Sequence, residues 1–149
     1  MRVLITGISG FGGRYLCKAC LDDGDLVFGL SRREVETSNT ASPVIYRADL
    51  LDRAATREAL EASQPEVIYH LAAQSNVPEA WKDPAGTIAN NVSAEANLLQ
   101  SLVDLDTRPT VVAVGSSECY GRIDEADLPV RESAPMRPVN PYGVSKAAQ

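Results

Sequence analysis

Met1-Arg-Val-Leu-Ile-Thr-Gly-Ile-Ser-Gly-Phe-Gly-Gly13 opens the chain and decides its fold. Val3 to Thr6 are β-formers that read as a buried strand, and they run directly into glycines at 7, 10 and 13. An apolar-periodic stretch that reads as a helix follows at once. Gly7 suits a tight turn out of the strand, and Gly10 has no side chain to hold a diphosphate off the backbone. Gly13 lets the helix lie close to the sheet. Free N–H groups at the helix start, with the positive end of its dipole, then face the phosphates. Strand, glycines and helix in this order are the context that a dinucleotide site requires. Ser9 and Phe11, inside the same loop, join the three glycines as cofactor-binding candidates.

Working outward, the remainder alternates strands and helices. Strands are expected at Leu26–Leu30, Pro43–Tyr46, Glu66–Leu71 and Thr110–Gly115, and helices at Phe11–Asp22, from Asp52 to Ser63, and from Pro84 onward. Phe11, Tyr15, Leu16 and Ala19 are expected on the buried side of the first helix. Ile88, Val92, Leu99, Leu102 and Val103 are expected along one face of the long one. Residues 35–42 read as a polar loop. The pattern specifies an α/β fold, a doubly wound parallel sheet of order 3-2-1-4-5. All 149 residues are expected to form one dinucleotide-binding domain. In such sheets ligands bind beyond the carboxyl ends of the strands, where Gly7, Arg32, Asp49, Ala72 and Ser116 all fall.

Composition narrows the function. Hydrophobic residues make up 44% and charged residues 23%, as in a soluble globular protein. A net charge of −6 argues against a nucleic-acid surface. No apolar run approaches the ~20 residues of a membrane span, and the N-terminus is a core strand rather than a signal peptide, so a cytoplasmic protein is expected. Cys17-Lys-Ala-Cys20 spells C-x-x-C but lies well inside the first helix, where the dipole does little to activate a thiol. A zinc site needs two further ligands, and only Cys119 and His70 remain, so no metal is expected. Both cysteines read as small packing residues, and His70 as a core histidine.

The end of the second strand bears on the cofactor. An acidic residue there holds the ribose hydroxyls of NAD, but this chain has Ser31-Arg32-Arg33. A carboxylate repels a 2′-phosphate, whereas a guanidinium binds it through two parallel hydrogen bonds. NADP is therefore expected over NAD, with Arg32 and Arg33 as its readers.

Tyr142-x-x-x-Lys146 puts two side chains on one face of a starting helix. A free tyrosine titrates near pH ~10, and a neighbouring ammonium favours its phenolate. Alone the pair is a weak signal, but together with a serine past a strand end and a dinucleotide loop it becomes a strong one.

Five segments carry a family resemblance: Thr6-Gly-x-x-Gly-x-x-Gly13, Asp49-Leu50, His70-Leu-Ala-Ala73, Ser116-Ser-Glu-x-Tyr-Gly121 and Pro141-Tyr-Gly-x-Ser-Lys146. The chain resembles the N-terminal portion of the extended short-chain dehydrogenase/reductases, in the branch acting on nucleotide-linked sugars. The resemblance implies Ser116, Tyr142 and Lys146 as the catalytic set. It also implies Asp49 and Leu50 at the adenine, with Leu71, Ala72 and Ala73 along the cofactor. Val77-Pro-Glu-Ala-Trp-x-Asp-Pro84 and Val114-Gly-Ser-Ser-Glu-x-Tyr-Gly121 are most similar to reductases of GDP-4-keto-6-deoxy-mannose. Leu71-Ala-Ala-Gln-Ser75 and the paired arginines also resemble GDP-mannose 4,6-dehydratases, whose Thr-Ser-Glu has its counterpart in Ser116-Ser117-Glu118. A carboxyl group beside the serine suits the acid–base work of dehydration, so Glu118 joins the catalytic candidates.

The expected activity is thus NADP-dependent reduction at C4 of a nucleotide sugar, with a dehydratase or another nucleotide-sugar epimerase as the alternative. A non-catalytic NADP-binding module is the reading from outside enzymology. Family members run to roughly twice this length. The later strands and the small substrate domain are therefore expected to lie outside these residues, and residues 1–149 alone to be inactive. A GDP-linked sugar is the expected substrate and a homodimer the expected full-length assembly.

Overall fold

The computed structural model describes residues 1–33 and 42–149; the polar loop expected over 35–42 lies outside the described residues except for Ser42. Strands β1 (Arg2–Thr6), β2 (Leu26–Ser31), β3 (Val44–Arg47), β4 (Val67–His70) and β5 (Thr110–Ala113) form one parallel sheet in the order β3-β2-β1-β4-β5. That is the expected order, with strand ends shifted by one or two residues. β1 lies at the centre, Val3 opposite Val27 of β2 and Val67 of β4.

Alternation along β1 divides the core. Leu4 points to one face with Phe28, Leu30, Leu60, Ile68 and Leu98, while Val3 and Ile5 point to the other with Ile8, Cys17, Cys20 and Val27. Both faces of a parallel sheet must be covered, which is why the strands read as nearly continuous apolar runs. Each fully buried Leu or Ile contributes roughly 1.5–3 kcal/mol.

Helices α1 (Phe11–Asp22), α2 (Arg53–Ser63), α3 (Val77–Lys82), α4 (Pro84–Asp104) and α5 (Pro141–Ala148) connect or follow the strands. α1 has the expected bounds, and Leu16 packs against the core as expected, but Ala19 is exposed and the rest of the expected face differs. Its buried residues are Gly13, Cys17 and Cys20, whereas Phe11 is 83% and Tyr15 67% exposed. Small side chains at i, i+4 and i+7 let the helix approach the sheet, and that close approach turns the two aromatic rings outward. The rings pair with each other, centroids 5.1 Å apart.

The long helix departs in the same sense. Ala94, Leu98 and Leu102 are buried together with Thr87, Asn91, Glu95 and Ser101, while Leu99 and Val103 are exposed. Of the expected face, Leu102 is buried and Ile88 and Val92 are half-buried, but Leu99 and Val103 were misplaced because polar side chains with local partners share the buried side. Ser101 Oγ, for example, donates to the Asn97 carbonyl at 2.7 Å.

α2 behaves as its sequence suggests: Asp52 caps it by accepting from the Ala55 N–H, and Gln64 ends it in the left-handed region. The short α3, capped by Asn76, had no counterpart among the expected helices.

By internal packing the described chain forms two compact units. The first comprises Met1–Ala72 and Ser93–Val114 and holds the whole sheet; the second comprises Ala73–Val92 and Gly115–Gln149.

Candidate functional site

In the first unit, the loop between β1 and α1 is shaped by its glycines. Gly7 has φ +70°, and a Cβ on it would stand 2.9 Å from the Ala72 backbone nitrogen. A Cβ on Gly13 would meet the Gly7 carbonyl oxygen at 2.5 Å and Ile8 Cα at 2.7 Å. At Gly7 and Gly13 the neighbouring backbone leaves no room for a side chain.

Gly10 is the N-cap of α1 and brings no side chain to the helix end. Its N–H donates to the Gly7 carbonyl at 2.9 Å, closing the turn. The first-turn amides of α1 thus meet no capping side chain, the arrangement that suits a phosphate. Gly7, Gly10 and Gly13 are therefore the residues here that could hold a diphosphate.

The neighbouring strand ends carry the other expected cofactor residues. Ser31 is buried at the end of β2, and its hydroxyl donates to Ser9 Oγ at 3.0 Å while accepting from the Arg33 N–H at 3.1 Å. The Arg32 guanidinium is exposed and 3.8 Å from an Asp49 carboxylate oxygen. The other Asp49 oxygen accepts from the Leu51 N–H at 3.0 Å, and Leu50 is buried. The Ala72 N–H donates to Thr6 Oγ1 at 3.2 Å, and Leu71 is half-buried.

His70 belongs to the core, 1% exposed, its Nδ1 sharing a 2.8 Å hydrogen bond with Thr6 Oγ1. Burial pushes the Cys17 and Cys20 thiols up, with Cys20 adding to the effect on Cys17 and Asp25 to that on Cys20. That direction opposes thiolate chemistry and agrees with a packing role for both.

The second unit holds Ala73, Ser116, Glu118, Tyr142 and Lys146. Ser116 caps a 3-10 turn, Ser117–Cys119, its Oγ accepting from the Glu118 N–H at 3.2 Å. α5 packs against this turn. Their approach is close enough that a Cβ on Gly143 would come within 2.5 Å of the Glu118 carbonyl oxygen. Tyr142 and Lys146 sit one helical turn apart on α5, each only 9% exposed.

Asn140 caps α5 by accepting from the Gly143 N–H at 2.8 Å, and its amide nitrogen donates to the Glu118 carboxylate at 2.5 Å. Pro141 follows at the first helical position, where its fixed φ is already helical. Behind α5, fully buried Asn91 donates to Ser145 Oγ at 2.9 Å and to the Gln74 carbonyl at 3.0 Å, and accepts from the Gln74 N–H at 2.7 Å. Ser145 Oγ in turn donates to the Tyr142 carbonyl at 2.7 Å.

Asn140, Gly143 and Asn91 were absent from the residues expected at the site. Asn140-Pro141 before an apolar stretch is a readable cap signal. Nothing in local spacing signals its bond to Glu118, 22 residues away.

The sequence profile of the NAD dependent epimerase/dehydratase family matches residues 3–149. A GDP-6-deoxy-D-mannose reductase of Pseudomonas aeruginosa is 37% identical over 147 residues, covering 99% of this chain and 44% of the relative. A GDP-mannose 4,6-dehydratase of Sordaria araneosa is 35% identical over 153 residues, 97% of this chain and 28% of the relative. Among solved structures, that of RMD from Pseudomonas aeruginosa complexed with NADPH superposes with a TM-score of 0.77 at 33% identity, over 99% of this chain and 46% of that one. The chain spans less than half the length of each. Among the described residues, no helix is long and apolar enough to cross a membrane.

Proposed function

The chain belongs to the NAD dependent epimerase/dehydratase family, and from that premise we propose that it is the cofactor-binding and proton-donating part of an NADP-dependent GDP-4-keto-6-deoxy-mannose reductase. The observation that carries the reading is α5, with Tyr142 and Lys146 on one face and its first turn packed on the turn that Ser116 caps. The likeness to a GDP-6-deoxy-D-mannose reductase over nearly the whole chain supports the substrate.

Bound NADPH would supply the hydride that reduces the C4 ketone. Tyr142 would donate its hydroxyl proton to the oxygen left at C4, and Ser116 Oγ would hydrogen-bond the same oxygen. The Lys146 ammonium would lower the cost of the phenolate left on Tyr142 and hold the nicotinamide ribose. Gly7, Ser9, Gly10, Phe11 and Gly13 would hold the diphosphate. Asp49 and Leu50 would flank the adenine, and Leu71, Ala72 and Ala73 would line the rest of the cofactor. The choice of NADP over NAD rests on Ser31-Arg32-Arg33, which puts a hydroxyl and two guanidinium groups where NAD sites carry an acid. We assign the whole protein to the cytoplasm as a homodimer, for which the exposed apolar Leu99 and Val103 on α4 offer a surface.

A dehydratase is the second reading, favoured by the Glu118 carboxylate two residues after Ser116. The test uses the whole protein in two assays. NADPH should be consumed with GDP-4-keto-6-deoxy-mannose, and GDP-mannose without reductant should yield no 4-keto-6-deoxy product. Formation of that product would replace the reductase by the dehydratase. Silence in both assays would leave only an NADP-binding module.

A further inference from the structure

Glu118 makes three contacts that converge on the proposed catalytic groups. Its N–H donates to Ser116 Oγ at 3.2 Å, which directs the serine's own proton away from the turn. Its carbonyl oxygen lies so close to Gly143 that no side chain fits between them. Its carboxylate accepts from Asn140 Nδ2 at 2.5 Å. The Asn140 amide has one orientation only: its oxygen faces the Gly143 N–H, a pure donor, so its NH2 must face the carboxylate, a pure acceptor. Asn140 is itself buried, and its backbone carbonyl accepts from the Val144 N–H at 3.0 Å. Tyr142 therefore stands in a helical turn that Glu118 contacts at Asn140 and at Gly143, before and after it in the chain.

We propose that Glu118 is a positioning residue for the ketone reduction: through Asn140 it fixes the first turn of α5, and with it the direction of the Tyr142 hydroxyl. This rests on the reading of Ser116 and Tyr142 as the groups that touch the reacting oxygen. It assigns the carboxylate a different task from dehydration, which needs a carboxyl group that gives and takes protons at the sugar. A hydrogen bond from a neutral amide to a carboxylate is roughly twice as strong as one between neutral groups, so the link suits an anchor. The positive end of α5 adds to the attraction.

The test exchanges the two ends of the link in the whole protein. Asn140→Asp keeps an equally good cap but sets a second carboxylate against Glu118. Its kcat should fall about tenfold or more, with KM for the ketone and affinity for NADPH within about twofold of the parent. Glu118→Gln alone keeps an acceptor for Asn140, so kcat should fall only severalfold. In the double variant Glu118→Gln/Asn140→Asp, the glutamine amide donates to the aspartate, the bond reversed, and kcat should return to within about threefold of the parent.

A double variant as slow as Asn140→Asp overturns the proposal. So does Glu118→Gln as inactive as Tyr142→Phe, since that result makes the carboxylate an acid or base. Hydrogen exchange at the Gly143 and Val144 amides reads the same link without the reaction. Exchange should quicken in Asn140→Asp and slow again in the double variant, and unchanged exchange overturns the link. If the parent protein leaves the ketone untouched, the reductase reading fails by itself, while the exchange measurement still decides on the anchor.

Discussion

α1 and α5 begin in opposite ways. α1 starts from Gly10, which offers no side chain, so no side chain of its cap meets its first amides or the positive field of the helix end. α5 starts from Asn140, whose oxygen takes the Gly143 N–H and whose nitrogen is held by Glu118. An uncapped end is suited to receiving an anion. A capped and anchored end is suited to holding its own side chains still, and the side chains on the first turns of α5 are Tyr142 and Lys146. The contrast teaches that helix ends in one small chain can be built for two different tasks, and that the capping residue tells which.

For cofactor binding, the largest effect should come from closing the uncapped end. In Gly13→Ala the new Cβ would meet the Gly7 carbonyl at 2.5 Å with only backbone around it. NADPH affinity should fall on the order of 100-fold, about 3 kcal/mol, measured by fluorescence titration with circular dichroism to confirm folding. Parental affinity would break the contrast at once.

Next in size is the choice between cofactors. Replacing Arg32 and Arg33 together by alanine should weaken NADP by a few kcal/mol in total and barely touch NAD. Equal losses for both would mean that the guanidinium groups attract the cofactor by charge and do not read its 2′-phosphate.

A smaller effect should follow at a helix end that is capped but carries no proposed site residue. Asp52 caps α2 through the Ala55 N–H at 3.1 Å. Asp52→Ala should cost about 1 kcal/mol in urea unfolding and leave kcat unaltered. A fall in kcat as large as that of Asn140→Asp would show that any lost cap slows the enzyme, and α5 would lose its special standing.

How far the sequence discloses this contrast differs between the two helices. The end of α1 was readable because the constraints are local: a strand, a positive-φ glycine and a helix within thirteen residues fix the backbone path. The sheet order was readable for a similar reason, since alternating strands and helices with right-handed crossovers leave few arrangements. The buried face of α1 was not. Hydrophobicity pointed to Phe11 and Tyr15, but closeness to the sheet selected Gly13, Cys17 and Cys20, and steric fit outweighs apolar area where a helix must pack tightly. The polar residues buried on α4 escaped in the same way, because their partners are chosen by tertiary structure. At α5, the Tyr142–Lys146 spacing was legible in the sequence, whereas the cap at Asn140-Pro141, though its signal is local, was not among the expected features. The bond to Glu118 joins residues 22 apart across an irregular stretch, and no periodicity encodes it.

The most direct test of the account is one variant read in two ways. Tyr142→Phe removes a single hydroxyl from the anchored helix and leaves the glycine cradle of α1 as it is. With the whole protein, kcat for GDP-4-keto-6-deoxy-mannose should fall by about 100- to 10,000-fold, the range for loss of a general acid, while the NADPH dissociation constant stays within about twofold. Turnover preserved in Tyr142→Phe, or NADPH binding lost along with turnover, would contradict the assignment of proton donation to α5 and cofactor binding to α1.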